Sequence, residues 1–478
     1  MKIAIIGGGA SGMMAGILLG QMGHSVFLFE KNAFLGKKLL ITGKGRCNVT
    51  NDTTGEEFLS NVVRGKKFML SAERGFNSAD TKAFFEGLGV GLKTERGKRV
   101  FPISDRAVDV RDAMERALKQ AGVHIIFNAA VEKICVTSGN ENVTSGDDKM
   151  AGSAGNAVSG DDKMAGSAEI SVSGEKNIVG SSGRDVDKTG KNNTKESGKH
   201  SVTESGERVA TGVVVNGKRE DFDAVIVATG GCSYPLTGST GDGIEFAKNV
   251  GHKITPLAPA LNGIKIGGGE CKKLEGLSLK NVRVSATFEG KTVYTSDIGE
   301  MLFTSVGVSG PLVFTMSSFI NRAAVDTISI NFKPGLTREQ LISKIDREVA
   351  AMGAKQVRAL LRSMLPERLV DVFLSRLMLS ETTKCSQLSR ETRGDLVNLL
   401  SAFPLKFVSV EPIETSVVTS GGIDTTEISP KDCQSKLVRG LFFIGEVLDV
   451  DALTGGFNLQ IAFSTAAACA RSKFFKGE

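Results

Sequence analysis

The sequence predicts an α/β protein: a βαβ-based fold interrupted by a β-rich segment and a small helical one. Three observations predict it. Residues 1–130 alternate apolar, strand-like runs with helical ones. An apolar run breaking into glycine recurs at Val225–Gly231 and again near the end at Leu441–Glu446. Between these runs, residues 254–333 read as short strands with frequent glycines and residues 337–403 as helices.

The first element is the apolar strand Ile3–Ile6, which runs into Gly7-Gly8-Gly9-Ala10-Ser11-Gly12. A helix through Met13–Met22 follows, then a second strand, Ser25–Phe29, ending at the acid Glu30. The pattern is G-x-G-x-x-G between strand and helix, and each glycine has a mechanical role. Gly7 permits the tight turn, Gly9 lets backbone approach a pyrophosphate, and Gly12 lets helix and strand pack closely. The helix N-terminus offers unpaired N–H groups to phosphates. Glu30 falls where a carboxylate would accept ribose hydroxyls. No charged residue occurs from Ile3 to Gly23, but seven of those 21 residues are glycine in a turn pattern. That argues against a membrane span or a signal peptide.

Strand signals return at Val131–Val136, Ala210–Val215 and Ala224–Val227. Between them, residues 138–207 contain no aromatic residue and no leucine, but twelve glycines and twelve serines. The decapeptide Ser145–Ala154 is repeated at Ser159–Ala168. Such a stretch cannot bury enough apolar surface to offset its ordering entropy, so a disordered insert is expected. It carries eight basic and twelve acidic residues, a net of −4, so the other 408 residues hold +10 of the chain's +6 total.

Val282–Phe288 reads as a strand meeting a turn at Glu289-Gly290. Thr337 and Gln340 have capping-box spacing, with Leu341, Ile345 and Val349 at helical spacing behind them. Ser389 can cap a last helix carrying Leu396, Val397, Leu399 and Leu400. These boundaries give a Rossmann-like domain from 1–137, 208–253 and 411–478, a β-rich substrate domain at 254–334 and a helical domain at 335–410. The chain has 478 residues, 41% hydrophobic and 23% charged, which suits a soluble protein of two or three domains. Seven scattered cysteines without C-x-x-C spacing suggest neither a zinc site nor a disulfide framework. We expect no metal and a reducing, cytoplasmic setting.

Which dinucleotide is bound is decided late in the chain. An extended cofactor such as FAD needs a second contact set at its ribityl and isoalloxazine end, from distant sequence. Ala228-Thr229-Gly230, Gly445-Glu446, Asp449 and the Gly455–Gln460 turn can supply it, whereas NAD on one Rossmann unit needs none. No second G-x-G-x-x-G follows an apolar strand, so NAD(P)H would dock transiently as reductant.

Six longer segments carry a family resemblance: Gly36–Asn51, Arg99–Pro102, Ala228–Pro235, Gly238–Gly243, Leu302–Pro311 and Gly445–Asp451. Together they make nearly the whole chain outside the insert similar to the YhiN/BaiN-like flavoproteins, also called aminoacetone oxidase-like. The resemblance implies a Rossmann-like FAD-binding domain with an inserted β-rich domain and a small helical domain. It implies that Gly7, Gly9, Ala10, Ser11, Gly12, Glu30 and Lys31 hold the ADP half of FAD. Lys37, Lys38 and the Gly45–Asn51 loop, with Gly45, Arg46, Cys47 and Asn48, would lie along the pyrophosphate or flavin, and Val131 near the adenine. Gly445, Glu446, Asp449, Gly455, Gly456, Asn458 and Leu459 would lie near the ribityl chain and pyrimidine ring. Many flavoproteins of this fold have Gly-Asp at Gly445-Glu446, so the ribityl partner is either Glu446 or Asp449.

The expected chemistry is saturation of an activated C=C bond: hydride from reduced flavin and a proton from the protein. Cys47 is the candidate proton donor, because Lys44 and Arg46 beside it would lower a thiol pKa. Ser233 and Tyr234 are weaker candidates. Family members act on uracil of large-subunit ribosomal RNA, giving dihydrouridine, or on unsaturated bile-acid intermediates, so the partner is ribosomal RNA or a small molecule. Basic residues at 262–283 (Lys265, Lys272, Lys273, Lys280, Arg283) and on the helices suit phosphate contact or a solvated face. No membrane and no stable protein partner are expected. Two alternatives stand beside this: a small-amine oxidase using oxygen, and an FAD-binding component of an RNA-modifying assembly.

Overall fold

The computed structural model describes residues 1–138 and 206–477. The expected insert at 138–207 lies outside the described residues except at its borders. The flanking strands Val131–Ser138 and Arg208–Val215 pair antiparallel, with Ser138 opposite Arg208.

The Rossmann-like part is built from β1 (Lys2–Ile6), α1 (Ala10–Gln21), β2 (Ser25–Glu30), β3 (His124–Phe127), β4 (Ala224–Val227), β5 (Leu441–Phe443) and α2 (Phe457–Ala470). The five strands form one parallel sheet in the order β5-β4-β1-β2-β3. β4 is buried at all four positions and β5 at all three. This is why both read as continuous apolar runs rather than alternating ones: a parallel sheet is covered on both faces. α1 packs on this sheet and α2 packs against α1, buried along almost its whole length. The uncharged N-terminal stretch is thus a strand, a turn and a 12-residue helix. No helix among the described residues is long and apolar enough to cross a membrane.

The β-rich segment closes on itself. The 11-residue strand Ser278–Phe288 pairs antiparallel with Lys291–Thr295, Gly299–Phe303 and Thr327–Asn331. From Gly299–Phe303 the ladder continues through Gly307–Ser309, Ile264–Ile266 and Phe403–Val410 back to Thr327–Asn331. Closure leaves few free edges. The turn at Glu289-Gly290 has φ values of 48° and 74°, as a two-residue hairpin loop of primed type requires.

The helical segment is capped as its sequence indicates. Thr337 accepts from the Gln340 N–H, the Gln340 side chain accepts from the Thr337 N–H, and Ser389 accepts from the Thr392 N–H. The helices share one apolar core with the closed sheet, including Ile264, Phe303, Ile328, Leu341, Phe373, Leu400 and Phe403. Residues 254–334 and 335–410 therefore fold around a common core rather than as two bodies. Phe403–Val410 is a strand of the sheet, and Ile254–Ala260 pairs with Val418–Ile423 in a separate two-stranded ribbon.

Candidate functional site

A cavity of about 1400 Å³ runs from the Gly7–Ser11 turn to the wall of the closed sheet. Sites for drug-sized ligands are usually ~300–1,000 Å³, so there is room for an extended dinucleotide and a second ring.

The three glycines of the first turn differ in what surrounds them. Gly7 has φ +103°, and a Cβ there would sit 2.7 Å from the Ala228 carbonyl oxygen. A Cβ on Gly12 would lie 1.9 Å from the Gly7 carbonyl oxygen, so Gly12 is behind the cavity wall, not on it. A Cβ on Gly9 meets nothing within 4 Å, although Gly9 lines the cavity. The protein itself therefore explains Gly7 and Gly12, and a ligand at close quarters explains Gly9.

α1 begins at this turn with no side-chain cap and no acid in its first turn, and Ala10 and Ser11 face the cavity. α2 begins in the same way after Gly455-Gly456, with Asn458 and Leu459 on the wall. Two helices thus present free N–H groups and their positive ends to one space. The Asn458 side chain is committed to Ala452, accepting from its N–H at 2.9 Å and donating to its carbonyl at 2.7 Å. It reaches a ligand only through its backbone.

Charged groups are ordered between these ends. Glu30 lies on the wall, 7% exposed, accepting from the N–H of Gly8 and from both the backbone and side-chain nitrogens of Asn32. It braces the first turn against the end of β2. Lys31 pairs with Asp242 at 2.7 Å and donates to Thr240, while Lys37 donates to Asn32. Lys38 pairs with Glu446 at 2.7 Å and donates to Ser233 at 2.6 Å, and Glu446 also accepts from the Thr419 N–H. Val131, Ala228, Thr229 and Gly230 complete this half of the wall.

The residues fit FAD. Three buried acceptor-capable atoms, Asn48 Oδ1, Thr53 Oγ1 and Thr229 Oγ1, have no partner among the described residues and belong to wall residues. The two uncapped helices and the open space at Gly9 match a pyrophosphate at one end and an electron-rich ring at the other.

Several expected site residues stand elsewhere. Cys47 is fully buried in the apolar core and absent from the wall. Burial pushes its thiol up to about 12, against a smaller opposing hydrogen bond with Thr42. The cationic neighbours do not face it: Arg46 turns outward to Glu95 and Asp105, at 2.5 and 2.7 Å, and stacks over Phe101. Cys47 is therefore corrected from proton donor to packing residue, and Arg46 lines the cavity in its place. Gly45 is also off the wall. Gly445 is buried behind it, where a Cβ would strike the Ser11 side chain at 2.6 Å. Between the two carboxylates, Glu446 is on the wall and Asp449 is not. Tyr234 lines the cavity, whereas Ser233 is buried beneath it as a partner of Lys38.

Sequence reasoning missed the far wall, formed by Leu261, Leu302, Ser309, Gly310, Pro311, Phe314, Val417 and Val418. Its one signal was the Leu302–Pro311 segment, which marked the family without indicating a role. Asn51, at the end of the expected Gly45–Asn51 loop, lines the cavity, and so does Thr53 beyond it; both are under 6% exposed.

Comparison with known proteins agrees with this architecture. The chain is 26% identical over 487 aligned residues to the 3-dehydro-bile acid delta(4,6)-reductase of Clostridium scindens, covering 98% of each. It is 27% identical to the ribosomal RNA dihydrouridine synthase of Haemophilus influenzae, covering 98% of this chain and 97% of that one. It is 26% identical to the enzyme of the same description from Escherichia coli, with 98% and 96% covered. Residues 1–159 and 173–472 match the family described as HI0933-like protein Rossmann domain. The chain belongs to that family, the one its Gly36–Asn51 and Gly445–Asp451 segments resemble.

Proposed function

We propose that this chain is an FAD-dependent oxidoreductase that uses NAD(P)H to saturate an activated C=C bond. The observation that carries the reading is a single cavity walled on one side by the dinucleotide turn and on the other by the closed sheet. Its support from relatives is that the names of both kinds, a delta(4,6)-reductase and a dihydrouridine synthase, describe loss of a ring double bond.

FAD, when bound, supplies hydride to the substrate and accepts it from the nicotinamide. The chain's own residues hold and enclose the reactants. The helix ends at Ala10 and Phe457 anchor the two halves of the cofactor, and the Lys38–Glu446 pair fixes the wall between them. Leu261, Leu302 and Phe314 exclude water from the second ring, which strengthens every polar contact inside. With Cys47 enclosed, Tyr234 is the sequence-named proton donor that has access to the cavity.

Of the two substrate classes we favour ribosomal RNA. Several helix arginines are already paired, Arg358 with Asp371, Arg362 with Glu367 and Arg376 with Glu270. Lys272, Lys273 and Lys280 are exposed and open to phosphates. We place the enzyme in the cytoplasm, in keeping with seven free cysteines, and without a stable protein partner.

The test is anaerobic. NADH or NADPH is mixed with holoprotein, the flavin band is followed, and unmodified large-subunit ribosomal RNA or a 3-oxo-4,6-diene steroid is then added. The reading expects bleaching by a nicotinamide and recovery with one alkene. In a separate aerobic assay, hydrogen peroxide formed from aminoacetone and oxygen with no need of NAD(P)H would refute it.

A further inference from the structure

We infer that the cavity wall around Phe101 is a docking subsite for the pyrophosphate of the nicotinamide dinucleotide, gripped by Lys44 and Arg99. The inference rests on the reading above and deepens it, because it says how a reductant is held when the chain has no second dinucleotide turn to hold it.

The charge on the wall is unbalanced. Seven cations and four carboxylates line the cavity. Lys31, Lys38 and Lys98 are matched by Asp242, Glu446 and Glu57, at 2.7, 2.7 and 2.6 Å. Arg46 is matched from behind the wall by Glu95 and Asp105. The fourth wall carboxylate, Glu30, accepts from Gly8 and Asn32, and Lys37 donates to that same Asn32 at 3.4 Å. This places Lys37 beside the first glycine turn, with the phosphates of the cofactor. Among the described residues, Lys44 and Arg99 remain as exposed wall cations with no carboxylate partner.

These two stand around one ring. Lys44 follows Gly43, where a Cβ would lie 3.2 Å from Phe101 Cε1, and both residues have positive φ, 57° and 60°. Arg99 opens the strand Arg99–Pro102 that carries Phe101, with its guanidinium 6.0 Å from the ring centroid. Its Nε donates to the Arg96 carbonyl at 3.0 Å, which leaves its terminal nitrogens for a ligand. Asn51 ties the preceding turn to the start of α2, donating to the carbonyls of Gly97 and Gly455. The pair therefore stands at the α2 end of the cavity, the end that fits the ring of the cofactor.

A dihydronicotinamide must lie against that ring, and its dinucleotide brings two negative charges with it. The pyrophosphate of the cofactor meets a helix end behind a glycine turn. The reductant has no such cradle in this sequence, so its phosphates require side-chain cations, and charge-assisted bonds from Lys and Arg supply them. Exposed cations bind more weakly than buried ones, which suits a ligand that must leave at every turnover. Both line the cavity, so the phosphates they take belong to a molecule inside it.

The test compares wild-type holoenzyme with Lys44→Gln and Arg99→Gln, alone and together. Anaerobic stopped-flow reduction is followed with NADH, with NADPH and with N-benzyl-dihydronicotinamide, a donor that has no phosphate. Each single variant should raise the half-saturating concentration of NADH and of NADPH about 10-fold, with the limiting rate unchanged. The phosphate-free donor should reduce all variants as it does the wild type. Calorimetric titration of oxidised holoenzyme with ADP-ribose, which keeps the pyrophosphate and lacks the nicotinamide, should weaken in step. Added salt should weaken ADP-ribose binding to the wild type more than to the double variant. Both side chains are exposed, so melts without ligand should match the wild type.

Unchanged saturation by NADH and NADPH in the double variant overturns the subsite. So does an equal slowing of the phosphate-free donor, which would mean a disturbed flavin end. An effect on NADPH alone also overturns it, by moving the two cations to the adenosine 2′-phosphate. Failure of the parent reading shows differently: NADH and NADPH then leave the wild-type flavin oxidised, which removes the reductant and the subsite with it.

Discussion

Gly9→Val should abolish most cofactor binding while leaving the fold intact. Gly9 has φ −79° and ψ −170°, an extended conformation open to any residue, and a Cβ there touches no protein atom within 4 Å. The free protein therefore gains no clash and no strain. The valine methyls instead occupy the space through which the α1 N-terminus meets the pyrophosphate. Losing one hydrogen bond to a charged group removes ~1.5–3 kcal/mol, and the helix-end contribution is a further ~0.3–1 kcal/mol. A loss of about 2–4 kcal/mol corresponds to a ~30- to 1,000-fold weaker Kd. The assay is titration of deflavinated protein with FAD, paired with thermal melts with and without FAD. The Gly9→Val melt without FAD should match wild type, and the FAD-dependent rise should shrink as weaker ligand linkage requires. Gly12→Ala is the control: its Cβ falls 1.9 Å from the Gly7 carbonyl oxygen, so it should lower the melt even without FAD. Unchanged FAD affinity in Gly9→Val, or a ligand-free melt lowered as in Gly12→Ala, would refute the reasoning.

Three further outcomes are expected. Cys47→Ala should keep the flavin and the pH profile of turnover, and native Cys47 should resist iodoacetamide at neutral pH, because burial holds its thiol protonated up to about 12; mass spectrometry of labelled protein and rate measurements check both. Lys38→Met should leave Glu446 without its partner at a site where both side chains are less than a quarter exposed. It should cost ~1–3 kcal/mol, between an exposed and a buried broken pair, with partial recovery in Lys38→Met/Glu446→Gln, read by thermal melts as a double-mutant cycle. Asp451, fully buried and bonded to Ser420, is raised by burial to about 6, well above the ordinary ~3.9. Its folded form binds the proton more tightly than its unfolded form, so this group's contribution to stability is greatest below pH ~4 and falls as pH rises to ~6. The loss is ~2–3 kcal/mol relative to Asp451→Asn, and denaturant unfolding at pH 4 and 7 checks the sign.

What was legible in the sequence followed from local rules. The turn after Ile6 and the strands at Val225 and Leu441 could be read because a parallel sheet buried on both faces imposes continuous apolar runs. The Thr337–Gln340 box and the Ser389 cap were legible because helix starts require local partners. Cys47 was misjudged for a physical reason: charge neighbours in sequence are not neighbours in space. At φ 60° the backbone at Cys47 turns its thiol into the core, while Arg46 swings out to Glu95 and Asp105. The shared core of residues 254–410 was equally hidden, since strand Phe403–Val410 is recruited to the sheet across the intervening helices, and no periodicity encodes that partner.

The cofactor end and the substrate end also differ in how they use glycine and amide groups, and this links sequence to specificity. At the cofactor end recognition is mainly backbone, with free N–H groups at two helix starts, so glycine spacing suffices to announce it. At the other end the wall is made of side chains, and the Asn51 amide is held by the Gly97 and Gly455 carbonyls, bonds that no glycine spacing announces. Two proteins could therefore share every glycine motif and yet hold different rings. The glycine turns account for the shape of the cofactor end, whereas Asn51 and Thr53 reach the wall through contacts between segments far apart in the chain. On this argument, Thr53→Val, which removes a buried hydroxyl with no partner among the described residues, should leave the ligand-free melt unchanged or raised and show its cost only when the cavity is filled.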